Sequence, residues 1–231
     1  MGTTPVLSLT YRMRSPVSAE ATGAPPLLLL LHGRGGNETD LFAFASALDP
    51  RFLVLSVRAP YTSGPGQYAW YGITFAPKGP VHVPEQAESS RRLLVQFITE
   101  AVTAFGADAR RVYLMGFSQG AILSEAVALT APVQVAGAVL MSGRTLPEVA
   151  AHHAAPEALA GLPLLVIHGT EDTVLSLRYG HETRDLLQTL PVALTYHEYP
   201  MAHTISNESL ADAAAWLTAQ LDTPRETAQG I

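Results

Sequence analysis

The sequence predicts an α/β fold: a three-layer sandwich with a mostly parallel central sheet, helices on both faces and no large lid domain. Three observations carry this. Short, nearly continuous apolar runs recur at residues 27–31, 52–57, 112–115, 135–141 and 164–167. Strands covered on both faces read this way, because neither face meets water. Segments of helical periodicity lie between the runs, so strand and helix alternate. With 231 residues and no repeat or linker, the chain reads as one domain, 1–231, able to bury its core without disulfides or metals.

The elements follow in order. Leu7, Leu9, Tyr11 and Met13 alternate with Ser8, Thr10, Arg12 and Arg14. That period of two predicts a half-exposed, antiparallel strand near a sheet edge. Within 85–105, Leu93, Leu94, Phe97, Ile98, Ala101, Val102 and Phe105 form one apolar stripe, and Gly106 is a C-terminal stop. Residues 119–129 are apolar nearly all round, as in a helix buried against a sheet. Residues 193–199 read as the last strand. Leu210, Ala213, Ala214, Leu217 and Leu221 then recur at helical spacing, with Ser206 or Asn207 able to cap. Two stretches resist the pattern: 59–84, rich in Gly, Pro and aromatics, and 144–163, with His152 and His153. Both read as excursions of the kind that borders active sites. The polar end, 222–231, is expected to fray.

Composition excludes several classes. A formal charge of −6 without a basic stripe disfavours nucleic acid. The absence of cysteine removes disulfides and a thiol nucleophile. No basic region followed by an apolar one opens the chain, and the run Leu27–Leu31 is far too short to span a bilayer. Met1-Gly2 begins like a myristoylation site, but Val6 stands where Ser or Thr is needed. A cytoplasmic protein is expected, with no cofactor, no metal and no stable membrane insertion; a homodimer is compatible with the chain.

Gly116-Phe117-Ser118-Gln119-Gly120 carries the clearest chemical signal. It follows a predicted strand and opens a predicted helix, the setting that a G-x-S-x-G nucleophile turn requires. A sharp turn there leaves no room for side chains at Gly116 and Gly120. Ser118 is lifted above the sheet with a helix N-terminus behind it, and that dipole favours the negative charge developing on attack.

Residues 112–121, Val-Tyr-Leu-Met-Gly-Phe-Ser-Gln-Gly-Ala, resemble the elbow of the phospholipase/carboxylesterase family of α/β-hydrolases, which includes bacterial carboxylesterases and acyl-protein thioesterases. The resemblance runs from the strand and turn at 27–36 to the final helix. It implies a serine hydrolase that cleaves carboxylic esters or thioesters of small molecules through an acyl-enzyme on Ser118. In such folds the chain order is serine, acid, histidine, with the histidine after the last strand. Met201-Ala202-His203 follows the strand 193–199, so His203 is the expected base. His32, His82, His152, His153, His168, His181 and His197 fit surface or packing roles better. Leu164 to Val174, with His168-Gly169-Thr170-Glu171-Asp172, is similar to the family's acid loop, and Asp172 matches its acid; Glu171 competes by adjacency.

His32-Gly33-Arg34-Gly35-Gly36-Asn37 lacks the third glycine of a dinucleotide fingerprint, since Glu38 stands there. By resemblance it is an oxyanion turn, with the N–H groups of Arg34 and Gln119 as donors. Arg34 departs from the apolar residue expected there. Its side chain can face solvent, pair with Glu38 or Asp40, or reach an anionic substrate. No insertion large enough for a lid follows residues 135–141, so an open site is expected. Among Tyr61, Tyr68, Trp70, Tyr71 and Met201, the best candidates to line a substrate groove are Trp70, Tyr71 and Met201, although local core is an equal reading. Similarity of 36–41 to a branch with hydroquinone-associated hydrolases keeps aromatic or quinone catabolism as an alternative. A non-catalytic binding protein of the same fold is the third.

Overall fold

The computed structural model describes residues 5–17, 23–76 and 79–223. Along the chain run β1 (Tyr11–Arg14), β2 (Leu27–Leu31), a 3₁₀ helix (Leu41–Ala47), β3 (Leu53–Val57), β4 (Tyr61–Gly64), β5 (Gln67–Ala69), β6 (Ile73–Ala76), β7 (Gly79–His82) and α1 (Pro84–Phe105). Then come β8 (Val112–Phe117), α2 (Gln119–Thr130), β9 (Gly137–Met141), α3 (Pro147–Ala150), α4 (Pro156–Leu159), β10 (Pro163–Gly169), α5 (Leu177–Gln188), β11 (Ala193–Tyr199) and α6 (Asn207–Asp222).

Seven strands form the main sheet in the order β1-β3-β2-β8-β9-β10-β11. Only β1 runs antiparallel, against β3 at one edge, as its alternating pattern predicts. The apolar runs are the central strands, and both of their faces are covered. Leu27, Leu29 and Leu31 of β2 pack with Leu94 and Phe97 of α1 and most of α2. Leu28 and Leu30 pack on the other face with Leu41 of the 3₁₀ helix and Ala213 and Leu217 of α6. Helices therefore clothe both faces, and no lid intervenes: 144–163 holds only the short helices α3 and α4, each opened by a proline at its first turn.

The stretch 59–84 is more ordered than its composition suggests. It folds into two antiparallel hairpins, β4–β5 and β6–β7. Their pairing partners are local, but the glycines and prolines hide the alternation that marks a strand. Ser206 is the residue that caps α6, accepting a hydrogen bond from the Ser209 N–H. The tail expected to fray lies, beyond Thr223, outside the described residues.

One long-range staple positions the future site wall. The Arg14 guanidinium, at the end of β1, donates to the carbonyls of Ala45, Leu48, Asp49 and Phe52. These carbonyls end the 3₁₀ helix and lead into β3, so one fork holds the whole segment against the sheet. Replacing Arg14 by Met keeps the apolar stem and removes the donors. The expected cost is about 3 kcal/mol, with Tm falling by about 6–12 °C. Thermal unfolding followed by circular dichroism measures it, and a Tm unchanged from wild type would exclude the staple.

Candidate active site

The nucleophile turn is set by two close approaches. A Cβ on Gly120 would lie 1.9 Å from the Leu31 carbonyl oxygen, and one on Gly116 would lie 2.3 Å from the Gly120 carbonyl carbon. Both distances are impossible for a side-chain atom. The start of α2 therefore presses directly on the ends of β2 and β8, and the chain between them turns abruptly. Ser118 takes φ 54° and ψ −117°, a region that costs a non-glycine residue about 1–3 kcal/mol. Its N–H donates to the Met141 carbonyl at 2.9 Å, and its own carbonyl accepts from Ile122 at 3.0 Å. These bonds hold the strained residue from both sides.

The side chains of Ser118, His203 and Asp172 come together from three loops. Ser118 Oγ lies 3.0 Å from His203 Nε2, and His203 Nδ1 lies 2.6 Å from Asp172 Oδ2. The carboxylate accepts the Nδ1–H, which leaves Nε2 bare to accept the serine proton. Asp172 is buried, and its other oxygen accepts the N–H groups of Val174 at 2.9 Å and Leu175 at 2.8 Å. Glu171, the adjacent competitor, points to solvent. Its backbone N–H donates to the Met201 carbonyl at 3.1 Å and joins the acid loop to the base loop. The Phe117 ring lies 4.9 Å from the His203 ring, centroid to centroid.

The oxyanion turn is braced from behind. The Gly35 N–H donates to the Tyr68 carbonyl at 2.8 Å, and the Tyr68 N–H returns a bond to Gly36 at 2.9 Å. Gly36 N–H is spent on Gly33 at 3.1 Å. Among the described residues no comparable bond engages the N–H of Arg34. That of Gln119 opens α2, where a helix leaves its first donors unpaired. The resemblance implies these same two N–H groups as oxyanion donors.

Trp70 and Tyr71 are wholly buried and present no surface to a groove. Trp70 Nε1 donates to the His32 carbonyl at 2.9 Å, at the base of the oxyanion turn. The Gln119 side chain, which sequence reasoning missed, clamps this pair: its Oε1 accepts the Trp70 N–H and its Nε2 donates to the Tyr71 carbonyl, both at 3.0 Å. Ser90 adds a bond to the Trp70 carbonyl, and Gln86 accepts the Gly72 N–H at 2.6 Å. These two aromatics thus take the alternative role of local core and hold the turn. Met201 is buried too, beneath the base loop.

Beside the triad lies a cavity of about 280 Å³ that includes Gly33, Arg34, Asp40, Leu41, Phe44, Phe117, His203 and Ile205 in its lining. Phe117 had a signal in its adjacency to Ser118; Phe44 and Ile205 had none, since they arrive from distant segments.

Two buried polar groups complete the surroundings. Burial, its largest influence, lowers the His32 pKa. Its Nδ1 lies 2.6 Å from the Gly33 carbonyl and its Nε2 accepts the Ala59 N–H at 3.0 Å, as suits a neutral structural ring. Burial raises the Glu125 carboxyl of α2 to about 7, against the hydrogen bond from Thr145 Oγ1 that lowers it. Between the ordinary glutamate range and about 7 the folded state then holds a proton that the unfolded state has released. Stability falls as pH rises through that window, and the loss is complete above it. Glu125→Gln should remove this slope, so the variant gains on wild type by on the order of 3 kcal/mol between pH 4 and 8. Urea denaturation across that range measures the difference, and parallel curves would contradict it. Backbone strain has its own check. Ser118→Gly should be about 1 kcal/mol more stable than Ser118→Ala, reversing the usual order of these residues, because only glycine relieves the positive φ.

This architecture is that of an α/β-hydrolase. The family model for phospholipases and carboxylesterases matches residues 14–221. The chain is 26% identical to the carboxylesterase SOBER1 of Arabidopsis thaliana over 212 residues, 86% of this chain and 92% of that protein. It is 32% identical to an acyl-protein thioesterase 1 from Debaryomyces hansenii over 127 residues, a match covering 52% of this chain and 53% of that one. The Bacillus cereus carboxylesterase structure shares the fold with a TM-score of 0.77 at 24% identity, over 92% of this chain and 94% of that one. The chain belongs to the phospholipase/carboxylesterase family of hydrolases.

Proposed function

We propose that the protein hydrolyses small carboxylic esters or thioesters through an acyl-enzyme on Ser118, with His203 as general base and acid and Asp172 as its orienting partner. The observation that carries this reading is the unbroken chain of 3.0 and 2.6 Å contacts from Ser118 through His203 to Asp172. A receptor has no need of such a relay beside a strained serine.

The steps follow from the geometry. Ser118 Oγ attacks the carbonyl carbon while its proton passes to His203 Nε2. The imidazolium is stabilised by Asp172, and the oxyanion is held by the N–H groups of Arg34 and Gln119. Collapse expels the alcohol or thiol, which takes the proton from His203. Water, deprotonated by the same ring, then attacks the acyl-enzyme and releases the acid and Ser118.

Cavity size supports a small substrate. About 280 Å³ lies below the range of about 300–1,000 Å³ that holds drug-sized ligands. Leu41, Phe44, Phe117 and Ile205 suit a short acyl chain there. Among the described residues no helix is long and apolar enough to cross a membrane. An enzyme without nucleic-acid partners fits the charge of −6.

Ser118→Ala should lose at least about 10⁴-fold in kcat on short p-nitrophenyl esters, and Asp172→Asn about 10⁴-fold, with folding retained. Glu171→Gln should stay close to wild type. Turnover persisting in Ser118→Ala would refute the nucleophile. A preference that keeps rising into long acyl chains would refute the short pocket.

A further inference from the structure

Arg34 occupies an unusual electrostatic position. It is exposed at the oxyanion turn and lines the cavity that also contains His203. The two carboxylates nearest in sequence do not neutralise it. Glu38 is held by Arg58 through two hydrogen bonds of 2.6 Å, and Arg58 itself stacks over the Tyr68 ring at 4.6 Å. Asp40 lines the same cavity, but it is turned toward the turn backbone: its Oδ2 would sit 2.3 Å from a Cβ on Gly36, and its charge acts on His32. Among the described residues no carboxylate lies within ion-pair distance of Arg34.

The surroundings give that cation a use. Gly33 packs against both Phe117 and Ser118, with a Cβ there falling 3.2 Å from the Ser118 Cβ, so the turn bearing Arg34 borders the nucleophile directly. The walls contributed by Leu41, Phe44, Phe117 and Ile205 are apolar. The cavity is open to solvent on its Arg34 side, so a ligand's methylenes can lie on the apolar walls while its polar end reaches the guanidinium. The molecule as a whole is acidic, at −6, so the guanidinium on the turn that borders the nucleophile offers an anion an attraction that most of the surface does not.

We propose that Arg34 is a specificity-determining residue whose guanidinium selects esters and thioesters carrying a carboxylate on a short acyl chain, such as half-esters of small dicarboxylic acids. This rests on the hydrolase reading above and adds the substrate class. The apolar walls take the methylenes, and the planar fork receives the distal carboxylate in a bidentate pair. A monoanion matches the site better than a phosphate dianion. Arg34 is the one cationic Lys or Arg side chain in the lining, and Asp40 in the same lining disfavours a second negative charge.

The test uses monomethyl succinate and its neutral isostere with an isopropyl group in place of the carboxylate, both followed by proton release in a pH-stat. The readout is the ratio of kcat/KM for the anionic ester to that for the neutral one, so that any general effect on catalysis cancels. Wild type should favour the anionic ester. Arg34→Leu should lower the ratio by about tenfold, mainly through KM, while Arg34→Lys keeps part of it. Asp40→Asn should raise it. Rising ionic strength should lower the wild-type ratio and leave that of Arg34→Leu flat. A ratio unchanged in Arg34→Leu, or insensitive to salt in wild type, overturns the proposal. Ser118→Ala separates the two levels: turnover lost in that variant with a flat Arg34 ratio defeats only the substrate class. Turnover retained there defeats the underlying reading.

Discussion

The close packing of the first turn of α2 against the end of β2 is the constraint on which the site depends. A helix backbone lies where a Cβ on Gly120 would touch the Leu31 carbonyl at 1.9 Å. No other residue permits that approach, and several consequences follow from it. The chain leaving β8 has no room for a gradual turn, so Ser118 is forced into positive φ and its side chain projects above the sheet. The N–H of Gln119 stays unpaired beside it. The oxyanion turn begins one residue after Leu31, so both donor groups and the nucleophile hang from one contact between two backbones.

Such strain persists only if the surroundings over-determine it. Here the bracing comes from several directions. The Gln119 side chain ties α2 to the backbone of Trp70 and Tyr71, and Trp70 ties that segment to His32. The β4–β5 hairpin closes the circuit through Tyr68, which exchanges hydrogen bonds with Gly35 and Gly36. Each bond contributes about 1 kcal/mol on its own. Their joint effect is positional, because catalysis by fixed dipoles requires donors that do not reorganise as charge develops.

Charge is distributed unevenly around this frame. His32, buried beneath the turn, is kept neutral by burial and spends both ring nitrogens on backbone groups. Arg58 and Glu38 satisfy each other on the flank. Asp172 is buried and accepts two backbone N–H groups besides the imidazole, which fix the orientation of its carboxylate. Arg34 is left facing the cavity, and that contrast is what singles it out.

Sequence by itself determined the layer architecture, the edge position of β1, the order of the chemical groups and the identity of the turn at Ser118. Each of these depends on local information: a period of two or 3.6, an apolar run, a glycine at a fixed offset. Resemblance pointed to His203 and Asp172, which the fold brings into contact with Ser118, and to the N–H groups of Arg34 and Gln119. Tertiary structure alone decided the rest. The aromatics Trp70 and Tyr71 look the same in sequence whether they face a substrate or the core; burial assigned them to the core, where Gln119 of α2 and Ser90 of α1 converge on their backbone. The hairpins of 59–84 were hidden by glycine and proline. Ser206 was separated from Asn207 as the cap by a single hydrogen bond. The pairing of Arg34 was open for the same reason. Glu38 and Asp40 are both near in sequence, and only the fold shows that Arg58 takes one while the other lies against Gly36.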